Sequence, residues 1–225
     1  GLILGGGVFW GLLIAPADYQ QGESVRIMYV HVPAAILAQS SYAMMAVMAL
    51  ISLIWRLKIA DAAVQTVAPI GACITLLALA TGSLWGKPMW GTFWVWDPRL
   101  TTTAFLFVTY LGYLAVRGLG GTAQQRARRS SVIALLAVLE IPLVHFSVLM
   151  WRSLHQKASV LSGDGDIKMD GSMLTTLLVG VIGFTCTFAW LVMHRQRVLA
   201  MQDAMQMTQL DAALRERANE SSRVK

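Results

Sequence analysis

Charge is what this sequence has least of. Asp, Glu, Lys and Arg make up 13% of its 225 residues, while 56% are hydrophobic. A soluble domain carries about 25% charged residues. The deficit excludes a disordered chain, a fibrous repeat and an ordinary cytosolic enzyme. Cysteine is scarce too. Cys73 and Cys186 each sit inside an apolar block, far from any C-x-x-C, which excludes a disulfide framework or a zinc site. There is no phosphate loop. Gly82 to Lys87 fails the G-x-x-x-x-G-K-[ST] pattern, because three residues separate the glycines and Pro88 follows the lysine. No internal repeat is visible, which weighs against an inverted-repeat carrier. The basic residues form no stripe interleaved with aromatics, so the positive balance does not point to nucleic acid.

What is present is apolar sequence in long blocks: Leu2–Ala15, His31–Trp55, Gln65–Trp85, Thr101–Val116, Ser131–Trp151 and Met173–His194. About 20 apolar residues cross a bilayer as a helix. The expected fold is therefore all-α, a polytopic membrane protein with six transmembrane helices. The first block is short and the chain opens on Gly rather than Met, as expected if part of the first helix is missing. No basic n-region or cleavage site marks a secretory signal. Residues 1–195 read as the membrane domain and 196–225 as a cytoplasmic tail. In the tail Met207, Leu210 and Leu214 recur at helical spacing beside Asp211, Arg215 and Arg217, so it reads as an amphipathic extension of the last helix. Such an extension is either solvated or docks a cytoplasmic partner.

Orientation follows from the Lys/Arg bias. Arg56, Lys58, Arg117, Arg126, Arg128, Arg129 and the residues from Arg195 onward put twelve of the 18 basic residues on one side, with five acidic ones. The other side has six of each, its cations being Arg26, Lys87, Arg99, Arg152, Lys157 and Lys168 and three of its acids Asp164, Asp166 and Asp170. The richer side, at about +7, is expected to be cytoplasmic.

Eight tryptophans stand out, and Trp85, Trp90, Trp94 and Trp96 lie within twelve residues on the outer segment 85–100. Tryptophan marks membrane interfaces, but a belt spreads its aromatics around the protein. This crowding, with Phe93, Gly and Pro between, reads as an apolar platform for a large flat ligand. His31 at the outer end of the second block and His155 just past the fifth lie level with it. A single interfacial His is most often an ordinary polar residue. Two imidazoles flanking an aromatic shelf are what six-coordinate haem iron needs. No C-x-x-C-H occurs, so thioether attachment is excluded. Arg26, Lys87, Arg99 and Arg152 are candidate propionate partners, with Arg99 also a candidate partner for Asp97. His145, ten residues from His155, would lie about 15 Å deeper if the stretch were helical throughout. Glu140 is ionisable inside a span that also holds Pro142, a functional hypothesis by default; a hydrogen bond to a neighbouring helix would suit it. Asp18 reads as a loop cap, and His194 as a cytoplasmic cap of the last span.

The run 90–101, Trp-Gly-Thr-Phe-Trp-Val-Trp-Asp-Pro-Arg-Leu-Thr, resembles the tryptophan-rich "WWD" motif of haem-handling membrane proteins, most closely the CcmC family of System I cytochrome c maturation. Residues 15–22, 26–35, 82–91, 145–148 and 151–156 agree, and the likeness covers about residues 10–195. It implies a six-span protein of the bacterial inner membrane that binds haem b on the periplasmic side. His31 of the His-Val-Pro run and His155 of the Leu-His-Gln run would be the axial ligands. Trp85, Trp90, Trp94, Trp96, Asp97 and Arg99 would line the ring. It further implies transfer of haem to the periplasmic chaperone CcmE, in a complex with the ATP-binding-cassette subunits CcmA and CcmB and the small protein CcmD. The chain itself would be an accessory factor, not an enzyme, with ATP hydrolysis left to those partners. Phe93, Pro98 and Glu140 depart from the family's usual Trp, Ala and Asn-type residues. The alternatives are a transporter subunit carrying haem across the bilayer, with ligands at mid-depth, and an anchor subunit whose tryptophans bind a protein partner.

Overall fold

The computed structural model describes residues 1–156 and 169–223; Lys157, Asp164, Asp166 and Lys168, assigned above to the outer face, fall outside them. The described residues are mostly helical, with no strand among them. The helices are α1 (Leu2–Phe9), α2 (Met28–Trp55), α3 (Lys58–Trp90), α4 (Pro98–Gly118), α5 (Ala123–Leu136), α6 (Glu140–Met150) and α7 (Gly171–Arg223). Five stretches are long and apolar enough to cross a membrane: Glu23–Trp55, Lys58–Trp90, Pro98–Gly118, Ala123–Met150 and Gly171–Arg217. The sixth apolar block is the shorter Leu2–Ile14, in which α1 continues as a π-helical turn. This is a multi-pass membrane protein. Its outer surface carries Phe105, Val108, Leu136 and Leu139 at 59% exposure or more, a surface that suits lipid and not water.

Several boundaries differ from the sequence expectation, each for a local reason. The third helix does not stop at Trp85. It runs through Pro88 to Trp90 and ends where Gly91 turns left-handed at φ 77°, its N–H donating to the Lys87 carbonyl. Proline within a helix removes one donor, and here only the last turn is affected. Lys87 turns back on that helix end, with Nζ 2.9 Å from the Gly91 carbonyl and 5.3 Å from the Phe93 ring centre. The fifth span is broken. Residues 137–139 form a 3-10 turn between α5 and α6, four residues before Pro142, whose missing N–H leaves the Val138 carbonyl without its helical donor. Past α6 the chain leaves helix at Trp151, so 145–155 is not one rod. The last helix continues without a break into the tail, as expected, and keeps Met207, Leu210 and Leu214 exposed.

Small residues bring α2 and α3 close. Ala38, Ala46, Ala49, Ala60, Ala68 and Ala72 are buried, the composition that lets membrane helices approach without a hydrophobic drive. Tyr110 of α4 fills the gap beside them. A Cβ on Gly71 would lie 2.5 Å from its phenol, so that position admits only glycine. Its hydroxyl meets Ser41 Oγ at 2.8 Å and the Ala38 carbonyl at 3.0 Å. Thr109 donates to Glu140 at 2.8 Å, the cross-helix bond anticipated for that carboxyl. Short turns make successive helices antiparallel, so the ends of α2, α3, α4 and α6 that bear His31, Trp90, Asp97 and Trp151 come together. At the other end Arg117 clamps Asp61, with its second nitrogen 2.7 Å from Oδ2, and reaches Gln65 at 3.1 Å.

Candidate functional site

The helix ends at the tryptophan-rich side enclose a cavity of about 600 Å³. Its walls include His31, Trp85, Trp90, Arg99, His145 and His155, and it reaches down to Gln39 and Leu106. Pockets of this size with an apolar lining and a few placed polar groups are typical small-molecule sites.

His31 stands on the first turn of α2 and faces α3. Its Nδ1 lies 3.0 Å from the Ala78 carbonyl and 3.3 Å from Thr81 Oγ1. A carbonyl only accepts, so Nδ1 carries the proton and Nε2 keeps its lone pair. A Cβ on Gly82 would sit 2.9 Å from the His31 ring, so glycine is what leaves the ring its place. Trp85 closes the other side edge-on, 5.7 Å between centres at 72°. His155 repeats the arrangement from a loop. Its Nδ1 is 2.8 Å from the Gln156 carbonyl, which again leaves Nε2 as the basic nitrogen. Burial pushes the His155 imidazole below its ordinary pKa; Arg99 adds to this, and the Gln156 carbonyl and Asp97 oppose it. The ring is therefore neutral at pH 7. Orienting a histidine through the nitrogen away from its ligand is how proteins prepare metal-binding imidazoles.

The His155 loop is held by Asp97. Its Oδ2 accepts from Ser153 Oγ and from the Leu154 N–H, both at 2.7 Å, while Oδ1 accepts from the Arg99 N–H at 2.9 Å and caps α4. Ser153 in turn accepts from the His155 N–H at 3.0 Å. Burial opposes ionisation of Asp97, but these bonds outweigh it and hold the carboxyl below the usual range. The side chain of Arg99 does not pair with Asp97 as the sequence suggested. Its guanidinium crosses to α6, donating to the His145 carbonyl at 2.8 Å and to Ser147 Oγ at 3.4 Å. Because α6 ends at Met150, His145 and His155 share one cavity despite their separation in sequence.

The tryptophans divide. Trp85 and Trp90 line the cavity. Trp94 and Trp96 are not among its lining residues and meet edge to face, 5.8 Å apart at 88°, so they do not form one flat shelf. Trp96 is 82% exposed and borders a separate hollow of about 280 Å³ with Asp97, Pro98 and Arg152. Arg26 pairs with Glu23 at 2.7 Å, and its guanidinium also reaches the Leu12 carbonyl at 3.1 Å. Arg99 is thus the one cation among the described lining residues. Sequence reasoning missed Gly82, Ala78, Thr81 and Ser153 as supports of the two histidines. Gly82 lies in the 82–91 stretch, but nothing there tells that it faces an imidazole 51 positions earlier.

The class is a multi-pass membrane protein whose helix ends enclose an apolar cavity with two oriented imidazoles. The sequence profile of CcmC, heme exporter protein C, matches residues 1–211. The chain is 44% identical to the heme exporter protein C of Haemophilus influenzae over 204 residues, spanning 90% of this chain and 82% of that protein. It is 43% identical to that of Escherichia coli K12, over 89% and 80%, and 43% identical to that of Bradyrhizobium diazoefficiens, over 86% and 77%. The chain belongs to the CcmC family.

Proposed function

We propose that this chain is a haem-handling membrane subunit of the Ccm system that binds haem b through His31 and His155. The observation that carries the reading is the pair of imidazoles on one apolar cavity, each with Nδ1 tied to a carbonyl and Nε2 left as the donor. The donor set and the cavity fit a flat macrocycle with an apolar body and an anionic edge. Bis-imidazole ligation fills both axial positions, which suits carriage and not oxygen chemistry. Trp85 and Trp90 wall the ring, Arg99 offers a charge-assisted partner for a propionate, and Asp97 holds the His155 loop. Trp94 and Trp96 lie outside this pocket, where they would meet a partner approaching its mouth.

The positive bias of the opposite end supports a site on the periplasmic face of the bacterial inner membrane. From there the chain passes haem to the chaperone CcmE, with CcmA, CcmB and CcmD completing an ABC-type assembly. It acts as an accessory subunit, with residues 1–195 as the membrane unit and 196–225 as a cytoplasmic extension. A second reading, a subunit that conducts haem across the bilayer, draws on the depth of the cavity. Gln39 lies eight residues, or about 12 Å of helix, below His31.

The test is the visible spectrum of the purified protein with His31→Ala and His155→Ala. Each change is expected to remove the six-coordinate low-spin signature. If neither alters the spectrum, the ligand assignment is wrong. Haem density near the level of Gln39 would favour the conducting subunit.

A further inference from the structure

One side chain at the cavity mouth joins the two halves of the site. Gln21 uses both ends of its amide: Oε1 accepts from the Trp85 indole N–H at 3.1 Å, and Nε2 donates to Gln156 Oε1 at 3.4 Å. Trp85 packs against His31, and the Gln156 carbonyl holds the His155 ring. A chain of contacts therefore runs His31, Trp85, Gln21, Gln156, His155 across the opening. Gln21 is aimed by its turn. Asp18 and Gly22 exchange backbone bonds at 3.2 and 2.8 Å, with Gly22 in the left-handed region at φ 57°. Asp18 Oδ1 accepts from the Gln20 and Gln21 N–H groups at 2.9 and 2.8 Å, and Ser24 Oγ donates to the Gln21 carbonyl at 2.5 Å. A backbone fixed at this many points is a mount for its side chain, not a passing surface loop.

The two bonds are unequal. The one to Trp85 is shorter and partly buried, between elements packed on α3. The one to Gln156 is long, exposed and neutral, the kind that water replaces cheaply. Resting on the haem-binding reading above, we propose that Gln21 is a positioning residue that latches the cavity mouth. Its bond to Gln156 opens and recloses to let haem pass while Asp97 keeps the base of the His155 loop in place. Opening then requires one exposed bond to break and leaves the Nδ1 bonds of both imidazoles in place.

The test loads full-length protein with haem and follows its transfer to excess apomyoglobin by stopped-flow absorbance, in wild type, Gln21→Leu, Gln156→Leu and the double variant. The latch predicts an unchanged low-spin spectrum and release about two- to threefold faster in each single variant, the low end expected for loss of one exposed hydrogen bond. The double variant should release no faster than the faster single one, because both changes remove the same bond. Wild-type release rates in both single variants overturn the latch, as do additive effects in the double variant. A spectrum like that of His155→Ala in either single variant also overturns it, since Gln21 or Gln156 would then fix the ligand itself. If wild type carries no low-spin haem, the functional reading falls and the latch with it. If wild type carries it and the rates do not move, the latch alone fails.

Discussion

On the proposed haem-binding reading, Asp97→Asn separates a residue that binds haem from one that aims the residue that does. The aspartate is 5% exposed and accepts three bonds, two from the His155 loop and one from the first turn of α4. Asparagine keeps the shape but has one acceptor oxygen. With that oxygen on the Arg99 N–H the helix cap survives, since Asn caps as well as Asp, but an amide NH₂ then faces the Leu154 N–H, which cannot turn away. Flipping the amide restores the loop contact and sacrifices the cap. Hydrogen bonds to charged groups contribute about 1.5–3 kcal/mol, so either arrangement loses about 2 kcal/mol. At 1.4 kcal/mol per factor of ten, haem affinity should fall about 30-fold, with helix content unchanged by circular dichroism. The spectrum decides the mechanism. Asp97→Asn should move the protein toward the five-coordinate form expected of His155→Ala, because His31 is oriented from α3 by Ala78 and Thr81 and does not depend on Asp97. Asp97→Ala, which removes all three accepted bonds, should move it further. Wild-type affinity and spectrum in both variants would refute the reasoning.

Further outcomes follow from the same geometry. Gly82→Ala puts a methyl 2.9 Å from the His31 ring; overpacking costs about 1–3 kcal/mol, so a haem titration should show at least fivefold weaker binding. Gly112→Ala, with nothing within 4 Å, should titrate like wild type. Trp96→Ala should leave haem retention unchanged, because that ring is outside the cavity, whereas Trp85→Ala should weaken it; equal losses would restore the four-tryptophan shelf. Truncation after Arg197 should leave the haem spectrum of the purified protein intact, since residues 200–217 are exposed; loss of haem would show that the membrane unit needs its extension.

Much of the fold was legible because bilayer burial writes itself in one dimension. Charge density fell where helices cross, and basic residues gathered at one set of ends. What misled were interruptions whose cause is local stereochemistry, not hydropathy. Apolar sequence does not distinguish the continuous helix through Pro88 from the broken one before Pro142. The first proline sits one turn from a glycine terminus, where losing a carbonyl partner matters little. The second falls mid-span, and the helix rewinds into a 3-10 turn. The site was half legible for a related reason. Histidine and tryptophan announce themselves by type, so His31, His155, Trp85 and Trp90 could be picked out and set at one level. Which of two ring nitrogens is offered depends on partners that type does not reveal.

If both imidazoles ligate haem as proposed, those partners let the two behave differently although both are histidines. His31 is held by a helix pair along its length: its Nδ1 partners lie 47 and 50 positions away on α3, and Gly82 on the same helix shapes its niche. Moving it means moving α2 against α3, which close-packed alanines resist. His155 is held by a loop whose anchors are single side chains, Asp97 at its base and Gln21 across its mouth. Loops open with free energies far below that of the whole fold. A carrier must keep its cargo and also give it up. With one ligand on the rigid frame and one on a loop tied by separable bonds, the second can leave without disturbing the first. On the proposed ligand assignment, exchange should begin at His155, and an incoming ligand would take the position that it vacates while His31 still holds the other face. Slowing the His155 loop, for instance by strengthening the Gln21 contact with Gln156→Glu, should then slow transfer to an acceptor more than it tightens equilibrium binding. Equal changes in the two, measured by stopped-flow transfer and by titration, would argue that both ligands let go together.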